Sequence, residues 1–436
     1  MKLRHFYVSV CLMLISILNI HAQTSVTLTE AGTLASKLPA DLNTVSDLTI
    51  SGPLNGTDIL TIRAMAGNLK VLNLKEASIV EDKVNSYRGT GNNANYTQNN
   101  VIGDYMFYGM TALTKVVLPK NVWSIGTWSN DNPWNGENTQ VEGSPKTSYA
   151  SSADDTSYPG CASFARCVNL TVVEFPSTLL YIGPKAFSYC IKLPSIAIPE
   201  GVEAMGSYTF NQCTQLVTIN FPPNVTDIKS YTFQNCEKLA NITLPSGLMT
   251  IQNYAFDGCK SLGKVTIPGG VQTISTGAFQ NSGLTEVVLE YGVITLANNS
   301  FSGCNLLKKV TFPASMETIG GFSNTGIKNI LFAADAKPKE ISAGAFENCD
   351  SLETVTLPNS IITIGERAFY GCDTLQSVTL PTAIKIIPKE LFSQCKNLKS
   401  IDIPEGVTEI QETAFRFCIY NHRTTKTNQK YPSVNL

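Results

Sequence analysis

The sequence predicts an α/β repeat fold, a solenoid of roughly 23-residue coils with short parallel strands. Three observations carry this. Phenylalanine returns at Phe164, Phe187, Phe210, Phe233, Phe256 and Phe279, 23 residues apart each time, and a fixed period in the twenties marks a stacked repeat. The series continues through Phe301, Phe322, Phe346, Phe369, Phe392 and Phe415 with small slips around Phe301 to Phe346. Between phenylalanines, apolar and polar residues alternate over a strand-length stretch that usually ends in proline.

One coil, from Phe233 to Ala255, shows the logic. Leu239, Ile242 and Leu244 are apolar while Asn241 and Thr243 between them are polar, the pattern of a half-buried strand. Pro245 follows, and proline lacks the N–H that a strand ladder needs, so it ends the strand and turns the chain. Leu248 and Ile251 predict a second short apolar segment, and Ala255, Phe256 and Cys259 a helical turn that closes the coil. The preceding coil repeats these positions as Leu216, Ile219, Phe221, Pro222, Val225, Ile228, Phe233 and Cys236. A coil this short cannot bury both faces by itself. Stacked in parallel, each coil covers its neighbour and the apolar columns fuse into one core.

Read from Phe187, the unit is Phe-x-x-Cys-x-x-Leu-x-x-Ile-x-Ile-Pro-x-x-Val-x-x-Met, and the next copy opens at Phe210. This pattern resembles the BspA-type leucine-rich repeats of bacterial surface proteins, and the likeness extends over most of the chain. The resemblance implies a right-handed leucine-rich-repeat solenoid in a secreted or cell-surface protein. Several members of that family are adhesins for host matrix proteins or other cells, so an adhesin-like binding role is what it implies here.

In chain order, residues 1–22 read as a secretory signal peptide. Lys2 and Arg4 give the positive start, Val8 to Leu18 the apolar stretch and Ala22 a small residue before Gln23. The apolar run passes well beyond Cys11, which argues against lipidation there. No second stretch approaches the length of a membrane span, so a secreted or cell-surface location is expected. Without residues 1–22, 30 basic and 34 acidic residues remain, a net charge of −4, which offers no basic surface for nucleic acid.

Residues 23–102 blur the repeat and predict an N-terminal cap grading into the first coils. Leu48 and Ile50, then Leu69, Leu72 and Leu74, fit strand positions without the proline, as terminal repeats are normally atypical. Within this stretch, residues 85–100 predict an exposed loop. The solenoid proper is expected over 103–418, with Leu113, Val116, Leu118 and Pro119 in its first full coil. An insert at about 127–160 interrupts it: Ile125 and Gly126 match Ile182 and Gly183, yet the next repeat phenylalanine is Phe164. Residues 419–436 read as a basic, polar tail, expected either to cap the last edge or to end a shortened reading frame.

Chemistry finds few handles. Ten cysteines share one repeat position: Cys167, Cys190, Cys213, Cys236, Cys259, Cys304, Cys349, Cys372, Cys395 and Cys418. Spacings of 23 lack the short pairs of a zinc site, and Met110, Ser282 and Thr325 take the same place elsewhere. That tolerance predicts a structural ladder of buried, reduced thiols. Outside the signal, His422 is the only histidine, which leaves no ordered catalytic triad. Asp154 and Asp155 are the one carboxylate pair that keeps a repeat-scaffold hydrolase in view. Neither a metal nor a cofactor is expected, and the protein reads as a non-enzyme.

Surface features point instead to binding. Thr243, Thr266, Thr311, Thr356 and Thr379 occupy one outward strand column. Tyr208, Tyr231 and Tyr254 each precede a repeat phenylalanine by two residues, so stacked coils should bring them about 5 Å apart. Such a row either packs on itself or grips sugar or protein. The loop of residues 85–100 and the insert leave the repeat at the same phase, which predicts that they emerge side by side. Together they would gather Tyr87, Arg88 and Tyr96 with Trp128, Trp134, Tyr149 and Tyr158, residue types that anchor interfaces. The expected function is an exported, non-enzymatic binding protein whose partner is an extracellular protein or glycan. The alternative is a structural spacer without its own ligand. A monomer without a membrane span is expected.

Overall fold

The structure, a computed structural model, describes residues 23–88, 94–126 and 160–418. Parallel strands pair coil by coil into two ladders along the length of the solenoid. In the first, Val265, Val287, Val310 and Ile330 stand in register, as do Val355, Val378 and Ile401 further on. In the second, two-residue strands such as Thr273–Ile274, Thr295–Leu296 and Thr318–Ile319 pair in the same way. The alternation read from sequence is what these strands need: inward valines and isoleucines are buried while outward neighbours such as Thr266 and Thr356 are exposed.

Proline sets where the first ladder stops. The coils with Glu290 and Ala333 at the proline position carry four-residue strands, Glu286–Leu289 and Asn329–Phe332. There the backbone N–H of Glu290 donates to Ile267 O at 3.1 Å and that of Ala333 to Phe312 O at 3.0 Å. Proline has no such hydrogen to offer. Most proline coils stop after three residues, as in Ser195–Ala197 and Thr354–Thr356.

The closing turn differs from the expected helical turn. Residues two before and two after the repeat phenylalanine adopt left-handed backbone conformations, as at Tyr254 (φ 55°) and Gly258 (φ 72°) around Phe256. These alternate with right-handed residues, which breaks any helix. Every second N–H is thereby released to the next coil: Tyr254 to Thr276 O, Phe256 to Ala278 O and Gly258 to Gln280 O. The turns form a third ladder along this corner.

Inside that corner the phenylalanines stack without a break from Phe107 to Phe415, with ring centroids 5.0 to 5.8 Å apart. Phe107 lies directly on Phe164 at 5.2 Å, and Lys115 pairs with Val172. The two are therefore neighbouring coils, and the insert departs from within a single coil.

The N-terminal coils are built differently. Strands β1 (Gln23–Thr27), β2 (Asp47–Leu54) and β3 (Val71–Ile79) are longer, and helix α1 (Gly56–Arg63) follows β2. Asn55 caps the helix, and buried Asp58 accepts the backbone N–H groups of Gly32, Leu34 and Asn55 at 2.6, 2.9 and 3.0 Å. That carboxylate fixes the preceding loop to the helix start, where a negative charge also suits the helix dipole. Sequence reading took this stretch as blurred coils and missed the helix. Its signal was Asn55-x-x-Asp58, a capping pair. Among the described residues no helix is long and apolar enough to cross a membrane.

Candidate functional site

The tyrosine row lies on the turn corner. Tyr208 and Tyr231 stack with centroids 4.5 Å apart at 10°, and Tyr231 and Tyr254 at 5.2 Å and 15°. All three are half-buried and left-handed, with φ of 60°, 61° and 55°. That conformation costs roughly 1–2 kcal/mol for a residue bearing a Cβ, and the same column holds Lys185, Arg367 and Glu390 as well as Gly277, Asn299 and Gly344 elsewhere. Both ends of the row are closed. The Lys185 ammonium stands 5.6 Å from the Tyr208 centroid. At the other end a Cβ on Gly277 would come within 2.4 Å of the Tyr254 ring, so glycine alone lets that ring settle there. The ring faces are thus covered, and what the corner presents are phenol edges and hydroxyls. Burial, with Tyr254 and Asp257 nearby, raises the Tyr231 phenol above its ordinary range.

Beside the row runs a chain of polar side chains. Ser188 Oγ donates to Asn211 Oδ1 (3.3 Å), Asn211 Nδ2 to Gln234 Oε1 (3.0 Å) and Gln234 Nε2 to Asp257 Oδ2 (3.0 Å). Asn281 Nδ2 reaches Asp257 Oδ1 from the far side at 3.3 Å. This chain orients the corner. Sequence reading missed it, although the position one past each phenylalanine is polar throughout these coils.

The loop-and-insert patch has a different fate. Tyr87 is 1% exposed, and its hydroxyl donates to Asp104 O at 2.9 Å. It is a core residue here and presents no surface to a ligand, because the loop folds back through paired Asp82–Thr97 and Arg88–Asn95 positions and presses the ring onto Asp104. Arg88 lies with its guanidinium 3.7 Å over the Tyr105 ring, and burial pushes the Tyr105 phenol up to about 12. Tyr96 is exposed at 36%. Trp128, Trp134, Tyr149 and Tyr158, and with them Asp154 and Asp155, lie outside the described residues. So does His422.

The ten repeat cysteines are free and do more than fill space. Each Sγ donates to the phenylalanine carbonyl of the preceding coil at 3.1–3.2 Å, from Cys167 on Phe107 to Cys418 on Phe392. Where the position is Ser282 or Thr325, its hydroxyl lies 3.2 Å from the next coil's thiol. Burial raises the thiols, Cys213 to about 12. Such groups are poor nucleophiles. Among the described residues no cluster of three His, Cys, Asp or Glu side chains could hold a metal. The threonine column is discontinuous, since Thr266 and Thr311 flank Val288, and Leu331 follows.

Parallel coils, each with a strand, a proline turn, a second short strand and a closing turn, define a leucine-rich-repeat solenoid, a class whose members act as protein-binding scaffolds. The BspA type leucine rich repeat region matches in six copies, over residues 87–153, 144–248, 226–337 and 322–431. The chain belongs to that family. A leucine rich cell surface protein from Faecalibacterium prausnitzii is 30% identical over 57% of this chain and 70% of its own, with a TM-score of 0.40. A leucine-rich repeat protein from Bacteroides ovatus is 30% identical over 55% and 80%, with a TM-score of 0.34. One from Eubacterium ventriosum covers 87% of this chain and 92% of its own at 19% identity, with a TM-score of 0.42. Curated protein sequences return no match.

Proposed function

We propose that this is an exported, non-enzymatic binding protein, adhesin-like, that holds an extracellular protein or glycan on its turn corner. The observation that carries the reading is the comb of Tyr208, Tyr231 and Tyr254, three rings stacked in successive coils at a position where other coils place Lys185, Gly277 or Asn299. Rings held by stacking lose little freedom on binding, and tyrosine edges with adjacent amides are the contact chemistry of antibody paratopes. With the ring faces covered, a protein partner suits the comb better than a sugar stacked on an aromatic face. Export is supported by the signal-like residues 1–22 and by the surface description of the F. prausnitzii relative.

The test is retention of the chain from Gln23 on immobilised extracellular-matrix proteins and on a glycan array. Substituting Tyr208→Asn, Tyr231→Asn and Tyr254→Asn together keeps the backbone geometry and should abolish retention. Retention unchanged in that variant would remove the comb from the site. A spacer would show no retention at all, and a hydrolase would show turnover that Asp154→Asn with Asp155→Asn destroys.

A further inference from the structure

Beyond the tyrosine comb, and independent of it, the same corner sinks into a groove further along the solenoid. It lies beside a turn whose spacing departs from the repeat. The usual closing turn is Phe-x-x-Cys-x-x-Leu, whereas Phe279-x-x-Ser282-Gly283-Leu284 and Phe322-x-x-Thr325-Gly326-Ile327 are each one residue short. Gly326 draws the turn inward: a Cβ there would stand 2.2 Å from Asn305 O, so no other residue fits without displacing the neighbouring coil. The second of these short turns lies between Asn305 and Asp350. Beside it the corner holds a groove of about 600 Å³ whose lining includes Asn324, Asn348, Asp350, Tyr370, Asp373 and Gln394.

We propose that this groove binds a short saccharide. Its size is that of a small-molecule site, but such sites are usually mostly apolar. Here amides, carboxylates and hydroxyls prevail, a lining that matches a ligand dense in hydroxyl groups. Asn348 Nδ2 donates to Asn324 Oδ1 at 3.3 Å. That bond leaves the Asn324 amide group as donor and the Asn348 amide oxygen as acceptor, one coil apart, a spacing suited to neighbouring sugar hydroxyls.

Tyr370 gives the groove a fixed aromatic wall. The Arg367 guanidinium lies 3.8 Å over its ring, and Arg367 is itself held by Glu347 at 2.5 Å and Glu390 at 2.6 Å. An aromatic side chain locked in this way can pack against the C–H surface of a pyranose without being ordered first. Other ligands suit the lining less well. Lys396 neutralises Asp373 at 2.9 Å, so a divalent cation would meet only the Asp350 carboxylate, far short of a calcium shell. An anion would face both carboxylates.

The experiment uses the chain from Gln23 with cellotriose, maltotriose and chitotriose as probes, by saturation-transfer NMR and calorimetry. At least one trisaccharide should bind. Replacing Asn324→Gly and Asn348→Gly together removes both amides from left-handed positions (φ 57° and 55°) that Gly303 and Gly371 fill in other coils. The melting temperature should hold while affinity falls by about tenfold or more, as expected for two lost hydrogen bonds. The triple tyrosine variant should bind the same trisaccharide normally, so failure of the comb and failure of the groove are read separately. The proposal is overturned if no probe binds, if the double glycine variant binds as well as the parent, or if the tyrosine variant abolishes binding.

Discussion

Two stretches of one corner, around Tyr208 to Asp257 and around Glu347 to Lys396, share a backbone and differ in everything they show to solvent. Both stack phenylalanines at 5.3–5.7 Å inside, and both send each thiol to the preceding phenylalanine carbonyl. Outside, one presents three stacked tyrosines. The other places Arg367 between Glu347 and Glu390 and opens a polar groove. The repeat fixes inward positions because every coil must satisfy its neighbour. Only the outward columns are free to carry recognition, and they have been filled differently in the two stretches.

If the shared interior is the source of stability, the largest effect should come from perturbing all of it at once with alkali. Burial raises Cys167 and Cys213 to about 12, and Cys304 and Cys349, which touch Ser282 and Thr325 hydroxyls, to about 11. Unfolded thiols ionise near about 8.5. Above that pH the folded state binds more protons than the unfolded one, so stability falls as pH rises. The loss approaches about 1.4 kcal/mol per thiol for each pH unit until the folded value is reached. Circular dichroism should show cooperative unfolding between about pH 9 and 11, with full stability below pH 8. Alkylation at neutral pH should label the ladder only in denaturant and without any reductant. Survival of the fold to pH 12, or thiols that need reduction first, would break the premise of a common reduced core.

A single ring tests whether the two stretches really share that core. Phe233→Ala and Phe369→Ala should each cost roughly 3–5 kcal/mol in urea unfolding. Hydrogen exchange should show the damage confined to residues 210–256 in one case and 346–392 in the other, because coils contact only their neighbours. Unequal costs, or damage spread over the whole chain, would mean that the stretches are not equivalent inside.

The interior was legible because its signal is repeated: Phe187, Pro199 and Cys190 each recur at their positions, and period alone gives the coil. The closing turn was misread as helical because Ala255, Phe256 and Cys259 carry helix spacing. The decisive feature, left-handed backbone two residues either side of Phe256, shows in sequence only as glycine and asparagine scattered through two columns. Tyr87 was misread for another reason. A tyrosine in a polar loop reads as exposed unless the fold shows that Asp104 O waits beneath it. The tyrosine row followed directly from the period, whereas its closed ring faces did not, since Lys185 and Gly277 matter only once the rings have an orientation. The groove lies beside the short turn of Gly326, a slip that the spacing shows equally at Gly283 and that is mute about shape.

The smallest effects should separate the two surfaces. Tyr231→Asn removes two ring contacts worth about 0.5–1.5 kcal/mol each, offset in part because asparagine tolerates the left-handed backbone better than tyrosine. A net loss of about 1 kcal/mol follows. Arg367→Asn removes two partly exposed ion pairs and one contact over Tyr370, each worth at most about 1 kcal/mol at such sites. It gains the same backbone relief at φ 58°, so its net cost should stay within about 0.5 kcal/mol and shrink further at high salt. Urea midpoints for the two variants, measured at low and high salt, provide the comparison. If Arg367→Asn proved the more damaging, the charged stretch would be a structural clamp, and the corner's chemistry there would serve the fold before any ligand.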